Sequence, residues 1–268
     1  MPETLERKAV LTIAGSDSGG GAGIQADLLT FAALGVFGTS ALTCVTAQNP
    51  RGVTGVAALD PDLVARQIAA VCDAFPVEAA KTGMLYSAPI IHAVAAAASR
   101  IPILVVDPVM VAASGAQLLE PEAVDTLCGE LIPQARVITP NLDEAKILCG
   151  HPIASVGQMR EAARELSERF EVGVVIKGGH LPGDTITDVL YDDGVEQIFN
   201  ASRLAAETHG AGCMFSAAIT AFLARGDLLE EAVRQAREYI HAALSQAIAV
   251  GPFHPLNFFA EPESPSTP

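Results

Sequence analysis

The sequence predicts an α/β fold: a mostly parallel central sheet with helices on both faces and an antiparallel edge. Three observations carry this expectation. Short apolar runs alternate with longer helical patterns along the chain, as in a parallel sheet with helical crossovers. Several of these runs are continuous and β-branched, the pattern of strands buried on both faces. Residues 187–192 and 195–199 flank Asp193-Gly194, a hairpin signal that puts an antiparallel pair late in the chain.

Taken in order, residues 9–14, 39–47, 77–81, 103–106, 136–139 and 173–177 read as strands. Asp60-Pro61 supplies an N-cap and a proline at the first position of a helix. A helix over 141–149 ends at Gly150, where a C-terminal glycine belongs. Ser155 followed three residues later by Gln158 reads as a capping box for a helix over 159–170. After the hairpin come two successive helices, 212–225 and 228–250. With no linker and no internal repeat, residues 1–260 are expected to form a single domain, followed by a frayed Pro/Ser-rich tail at 261–268.

Composition narrows the function. The 268 residues are half hydrophobic, which excludes disorder, and Lys plus Arg number 16 against 31 Asp plus Glu, a net charge of −15. A nucleic-acid binder needs a basic face, so no nucleic acid is expected as partner. An anionic small-molecule substrate remains compatible, because a local site can be positive on an acidic protein. The five cysteines are widely spaced, with no C-x-x-C or Cys/His cluster, which argues against zinc and for a reducing compartment. The N-terminus lacks a signal-type apolar segment and no run reads as a membrane span. A cytoplasmic protein without membrane contact is expected, and a homodimer.

Ligands of open parallel sheets bind beyond the carboxyl ends of the strands, and the residues there are unusual. Residues 15–23, Gly-Ser-Asp-Ser-Gly-Gly-Gly-Ala-Gly, lead from the first strand into a helix. Such a turn lets backbone N–H groups approach a ligand. Its spacing is not a dinucleotide fingerprint, and no Gly-Lys-Ser/Thr follows a P-loop pattern. Two of only four lysines, Lys81 and Lys177, end apolar strands, where a lysine is costly unless it meets an anion. A buried ion pair is the alternative for each. Asp107 ends another strand, and Asn141-Leu142-Asp143-Glu144 opens a helix. Carboxylates so placed could hold Mg²⁺ beside phosphates or simply cap the helix. Thr208-His209-Gly210-Ala211-Gly212-Cys213 runs straight into an apolar helix. Its glycines make an anion hole at a helix N-terminus, where the Cys213 thiol pKa is expected to fall. The alternative for Cys213 is an inert packing residue.

These segments, in this order, resemble the ribokinase-like kinases, and within them the hydroxymethylpyrimidine/phosphomethylpyrimidine kinases of thiamine biosynthesis. The blocks are Ala-Gly-Ser-Asp-Ser-Gly-Gly-Gly-Ala-Gly-Ile-Gln-Ala-Asp (14–27), Val-Thr-Ala-Gln-Asn (45–49) and Lys-Thr-Gly-Met-Leu (81–85). Val-Val-Asp-Pro-Val-Met (105–110), Thr-Pro-Asn-Leu-Asp-Glu-Ala (139–145) and Lys-Gly-Gly-His-Leu (177–181) continue them. The resemblance implies a ribokinase-like three-layer sandwich that phosphorylates 4-amino-5-hydroxymethyl-2-methylpyrimidine and its monophosphate with ATP and Mg²⁺. It implies that Gly15, Asp27, Gln48 and Met84 lie in the substrate pocket, with Gln48 reading the aminopyrimidine. Asp107 and Glu144 fall in the magnesium region, and Lys177, Thr208, Gly210, Ala211 and Gly212 in the phosphate site. Lys177 and Cys213 are the implied catalytic pair, with Cys213 as base for the hydroxymethyl group. Ala211 and Met214 stand where the family usually has Thr, and Ala113 and Ala116 where it has more polar residues. A pyridoxal kinase and a non-catalytic sensor on the same fold are the competing expectations. Gln48 favours the pyrimidine, since an amide can satisfy both a ring nitrogen and an exocyclic amine.

Overall fold

The computed structural model describes residues 6–111, 115, 117–206 and 209–261. Nine strands form one sheet: β1 (Ala9–Asp17), β2 (Phe37–Asn49), β3 (Gly52–Ala58), β4 (Val77–Thr82), β5 (Ile103–Val106), β6 (Val137–Ile138), β7 (Gly173–Ile176), β8 (Thr185–Asp192) and β9 (Val195–Ser202). Their spatial order is β3-β2-β1-β4-β5-β6-β7-β8-β9. The run from β2 to β7 is parallel, whereas β3, β8 and β9 pair antiparallel. The Asp193-Gly194 turn has φ of 47° and 78°, the two positive values of a type I′ hairpin turn.

The helices are α1 (Gly23–Ala33), α2 (Pro61–Ala74), α3 (Ala88–Ala98), α4 (Ala123–Thr126), α5 (Leu142–Cys149), α6 (Val156–Phe170), α7 (Ala211–Ala224) and α8 (Leu229–Ser245). After α4 the chain tightens through a π turn and a 3-10 turn before β6. The continuous apolar strands feed two cores, one on each face of the sheet. In β5 to β7, Val106, Ile138 and Ile176 face the core that holds α2, α3, α5 and α6. Val105, Val137 and Val175 face the core built on α7 and α8. The period of two along each strand therefore supplies both layers of a three-layer sandwich. No helix among the described residues is long and apolar enough to cross a membrane.

Several boundaries differ from expectation. β3 is an additional strand, so both edges of the sheet are antiparallel rather than one. The last helix stops at Ser245, not at residue 250. Ser155 accepts from Gln158 N–H, but the Gln158 side chain accepts from the Ala154 N–H, so the expected box is only half made. The complete box is at Asn141. Its side chain accepts from the Glu144 N–H while Glu144 accepts from the Asn141 N–H.

Candidate active site

Strand order reverses at β1, with β2 on one side and β4 on the other, and the carboxyl ends around this switch point are where a ligand crevice opens. β1 slips register between Ala14 and Ser16. At this irregularity a Cβ on Gly15 would fall 2.7 Å from Cys44 Sγ and 3.4 Å from Met84 Sδ, so a side chain there would have to displace the Cys44 thiol. The turn that follows is organised by Asp17, 2% exposed. Its carboxylate accepts from the N–H groups of Gly19 (2.8 Å), Gly21 (3.2 Å) and Ala22 (2.8 Å). It also accepts from His209 Nε2 at 3.1 Å.

Beneath this turn lies a fully buried ion pair. Lys81 Nζ is 2.8 Å from Asp27 Oδ1, with both side chains 0% exposed. Asp27 Oδ2 accepts from Thr12 Oγ1 at 2.6 Å. Burial pulls the Lys81 pKa down, but Asp27, Cys213 and Asp107 outweigh it, so the ammonium stays protonated above its ordinary value. Farther along the edge, Asp107 gathers three donors. Lys177 Nζ at 3.0 Å and Thr139 Oγ1 at 3.1 Å reach Oδ1, and Ser216 Oγ at 3.1 Å reaches Oδ2. Glu144 is held by the Asn141 N–H at 2.8 Å. Burial pushes its pKa up to about 7, assisted by Asp107 and opposed by Lys177.

α7 begins at this cluster. Its N-cap, Gly210, has φ of 83° and no side chain caps the helix, leaving first-turn N–H groups for an anion. A Cβ on Gly210 would stand 1.7 Å from Gly21 O, and one on Gly212 would stand 3.4 Å from Lys177 Nζ. The two glycine turns and the lysine thus meet at one point. Cys213 lies half-buried in the first turn. The expectation of a lowered thiol pKa is corrected here. Burial pushes it up to about 11; Lys81 opposes this, while Asp27 and Asp107 add to it. A helix N-terminus favours a thiolate by about 0.3–1 kcal/mol, too little against desolvation among acids.

On the other side, Gln48 ends β2 beside the Asp17 turn. Ser18 Oγ donates to Gln48 O and accepts from its N–H, both at 2.8 Å. The Gln48 amide oxygen accepts from Thr46 Oγ1 at 3.2 Å. Met84 is buried with Cys44 and Leu118, against Val53, Val56 and Tyr86, an apolar wall suited to a flat ring.

The structure therefore gathers Lys177, Asp107, Glu144, Gly210, Ala211, Gly212 and Cys213 on one side, and Gly15, Gln48 and Met84 on the other. Asp27 is placed differently from a pocket-lining residue: both its oxygens are occupied below the surface, so it meets the site through Lys81. Thr208, Ala113 and Ala116 lie outside the described residues. Asp17, His209, Ser216 and Thr139 belong to the site without having been singled out by sequence. An aspartate inside a glycine-rich turn was the available signal for the first. The others are recruited by tertiary contacts.

The chain is similar to known proteins over most of its length. The family model "phosphomethylpyrimidine kinase" matches residues 17–256. A "thiamine biosynthesis bifunctional protein" of Geobacter sulfurreducens is 48% identical over 255 residues, covering 94% of this chain but 52% of that protein. The chain thus spans about half of the bifunctional relative. The Bacillus subtilis "hydroxymethylpyrimidine/phosphomethylpyrimidine kinase" is 46% identical over 255 residues, covering 93% of this chain and 94% of that one. Among solved structures, the ADP complex of Bacillus subtilis pyridoxal kinase superposes with a TM-score of 0.88 at 40% identity, covering 95% of this chain and 98% of the other.

Proposed function

The chain belongs to the phosphomethylpyrimidine kinase family, and from that premise we propose that it transfers the γ-phosphoryl group of ATP to 4-amino-5-hydroxymethyl-2-methylpyrimidine and then to the monophosphate, in thiamine biosynthesis. The observation that carries this reading is the meeting of Lys177 with the uncapped first turn of α7, which starts one residue before Gly212. Phosphoryl transfer depends mainly on positioning and charge neutralisation. A part-buried ammonium and a row of backbone N–H groups supply both for the β- and γ-phosphates. The acceptor ring lies between Gln48 and the Met84 wall, with its hydroxymethyl arm toward Cys213. The hydroxyl oxygen attacks phosphorus, the bridging oxygen leaves on ADP, and the hydroxyl proton passes to Cys213 in its thiolate form, which becomes the thiol.

The residues fit Mg²⁺. Asp107 and Glu144 are oxygen donors at the same edge, and Lys177 and Thr139 already occupy Asp107 Oδ1. Asp107 and Glu144 would therefore hold an ion largely through water, as Mg²⁺ prefers. When bound, it screens the phosphate charge. The reading extends to a cytosolic homodimer. Five free cysteines suit a reducing compartment, and Val45, 44% exposed, and Ala47 lie uncovered on β2, between β1 and β3, on a face that a second copy would cover.

The likeness to a pyridoxal kinase favours one second reading, phosphorylation of pyridoxal at the same site. Steady-state assays with the aminopyrimidine alcohol, its phosphate and pyridoxal, each with MgATP, decide between them. Higher kcat/KM for the two pyrimidines is expected. Preference for pyridoxal, or no turnover of either pyrimidine, overturns the first reading.

A further inference from the structure

The turn after β1 and the turn before α7 serve opposite sides of the site, yet they are joined across 192 residues of sequence. One joint is steric. Gly21 O occupies the space that any side chain at Gly210 would need, and a Cβ on Gly21 would come 2.7 Å from His209 Cδ2. The other joint is polar. The Asp17 carboxylate uses its remaining capacity, beyond three backbone N–H groups of its own turn, to accept from His209 Nε2 at 3.1 Å. Burial alone would raise the Asp17 pKa, but His209 and the N–H groups of Gly19 and Ala22 hold it below the usual carboxylate value. An ionised acceptor requires the proton on Nε2, which fixes the donor in this contact. His209 is part-exposed and directly precedes the helix cap Gly210.

The Asp17 turn also packs on the acceptor side. A Cβ on Gly19 would lie 3.2 Å from Gln48 O, and Ser18 is doubly bonded to the Gln48 backbone. A continuous chain of contacts thus runs from Gln48 through Ser18 and Asp17 to His209 and the anion-binding turn.

We infer that the Asp17–His209 pair is the link that couples acceptor binding to nucleotide binding, with His209 a positioning residue for the phosphate turn. The inference rests on the kinase reading of the site. Ordering either turn by its own ligand orders the other through this contact, so the second ligand meets a prepared site and binds more tightly.

The test is a thermodynamic cycle by calorimetry on the full chain. Affinity for the aminopyrimidine alcohol is measured with and without the non-hydrolysable ATP analogue AMP-PCP plus Mg²⁺, in wild type, His209→Ala, His209→Gln and His209→Asn. In wild type the analogue is expected to tighten alcohol binding by about 5-fold or more, within the usual range of such couplings. His209→Ala should bring that factor to within twofold of one, whatever its effect on the affinity for either ligand alone. Gln carries its amide N–H about as far from the backbone as Nε2 and should restore coupling. Asn is too short to do so. A coupling factor of one in wild type, or one unchanged in His209→Ala, overturns the link even if the wild type turns the pyrimidine over. Failure of wild type to bind or phosphorylate either pyrimidine overturns the functional reading itself, and the link with it.

Discussion

Lys177 at the end of β7 reaches across β6 to place its Nζ 3.0 Å from Oδ1 of Asp107, the residue that follows β5. This charge pair lies against the first turn of α7. Burial opposes the Lys177 charge, but Asp107 and Glu144 hold its pKa above the ordinary value. Lys177 thus stays cationic where the phosphates are proposed to lie, with Asp107 as its counter-charge before nucleotide arrives.

In the proposed Mg²⁺ role, Glu144 should make the metal requirement pH-dependent. With its pKa pushed up to about 7, the carboxyl is protonated below neutrality, and a cation must displace that proton. The Mg²⁺ concentration giving half-maximal rate should rise as pH falls through 7. Glu144→Gln keeps an acceptor for the Asn141 N–H, should raise the Mg²⁺ requirement and should remove its pH dependence. An unchanged Mg²⁺ titration would leave Glu144 with its capping role alone.

Gln48→Met should weaken the aminopyrimidine by about 1–3 kcal/mol, the cost of leaving a buried polar group unpaired. Pyridoxal should lose much less. Binding titrations with both ligands check this, and equal losses would show that Gln48 does not read the pyrimidine.

Lys81 and Asp27 form a fully buried pair. Lys81→Met strands a carboxylate and should cost about 3–5 kcal/mol, whereas adding Asp27→Asn should recover a good part of it. Urea unfolding midpoints measure both. A single-variant loss below about 1 kcal/mol would mean that the pair is not an interdependent unit.

Asp17 has a depressed pKa, so its contribution to stability is present above the unfolded value of about 3.8. It is lost as pH falls through the lower folded value. Asp17→Asn should be the less stable protein at pH 6, and the difference should shrink as pH drops below about 4. Acid unfolding followed by circular dichroism reads this, and a pH-independent difference would contradict it.

Much of this was written locally in the sequence. Strands β5 to β7 were legible because burial on both faces leaves unbroken β-branched runs. Lys81 and Lys177 stood out because a lysine ending such a run needs an anion. β3 was not legible: its Gly52, Gly55, Ala57 and Ala58 carry weak strand preference, and only pairing with β2 makes them a strand. The complete capping box at Asn141 was visible as residues, but its choice over Ser155 depends on side-chain placement. The Asp17–His209 contact and the direction of the Cys213 shift are tertiary effects, one of long-range contact and the other of desolvation. No local pattern encodes either.

The raised Cys213 thiol carries a kinetic signature. With a pKa near 11, only about one site in a thousand holds a thiolate at pH 8. Turnover limited by that base should climb with pH through the neutral and alkaline range. Cys213→Asp places a group of much lower ordinary pKa in the same surroundings, so the rise should move to lower pH than in wild type. A wild-type plateau at neutral pH would show that the thiol is not the base.

Cys213→Ala tests most directly whether phosphoryl transfer takes place at the N-terminus of α7. Turnover of the aminopyrimidine alcohol should fall by about 10²–10⁴, the usual worth of a positioned general base. AMP-PCP should bind as before, because the anion-binding donors are backbone groups. Near-wild-type turnover in Cys213→Ala would contradict this, and would leave Cys213 as a packing residue beside a site that works another way.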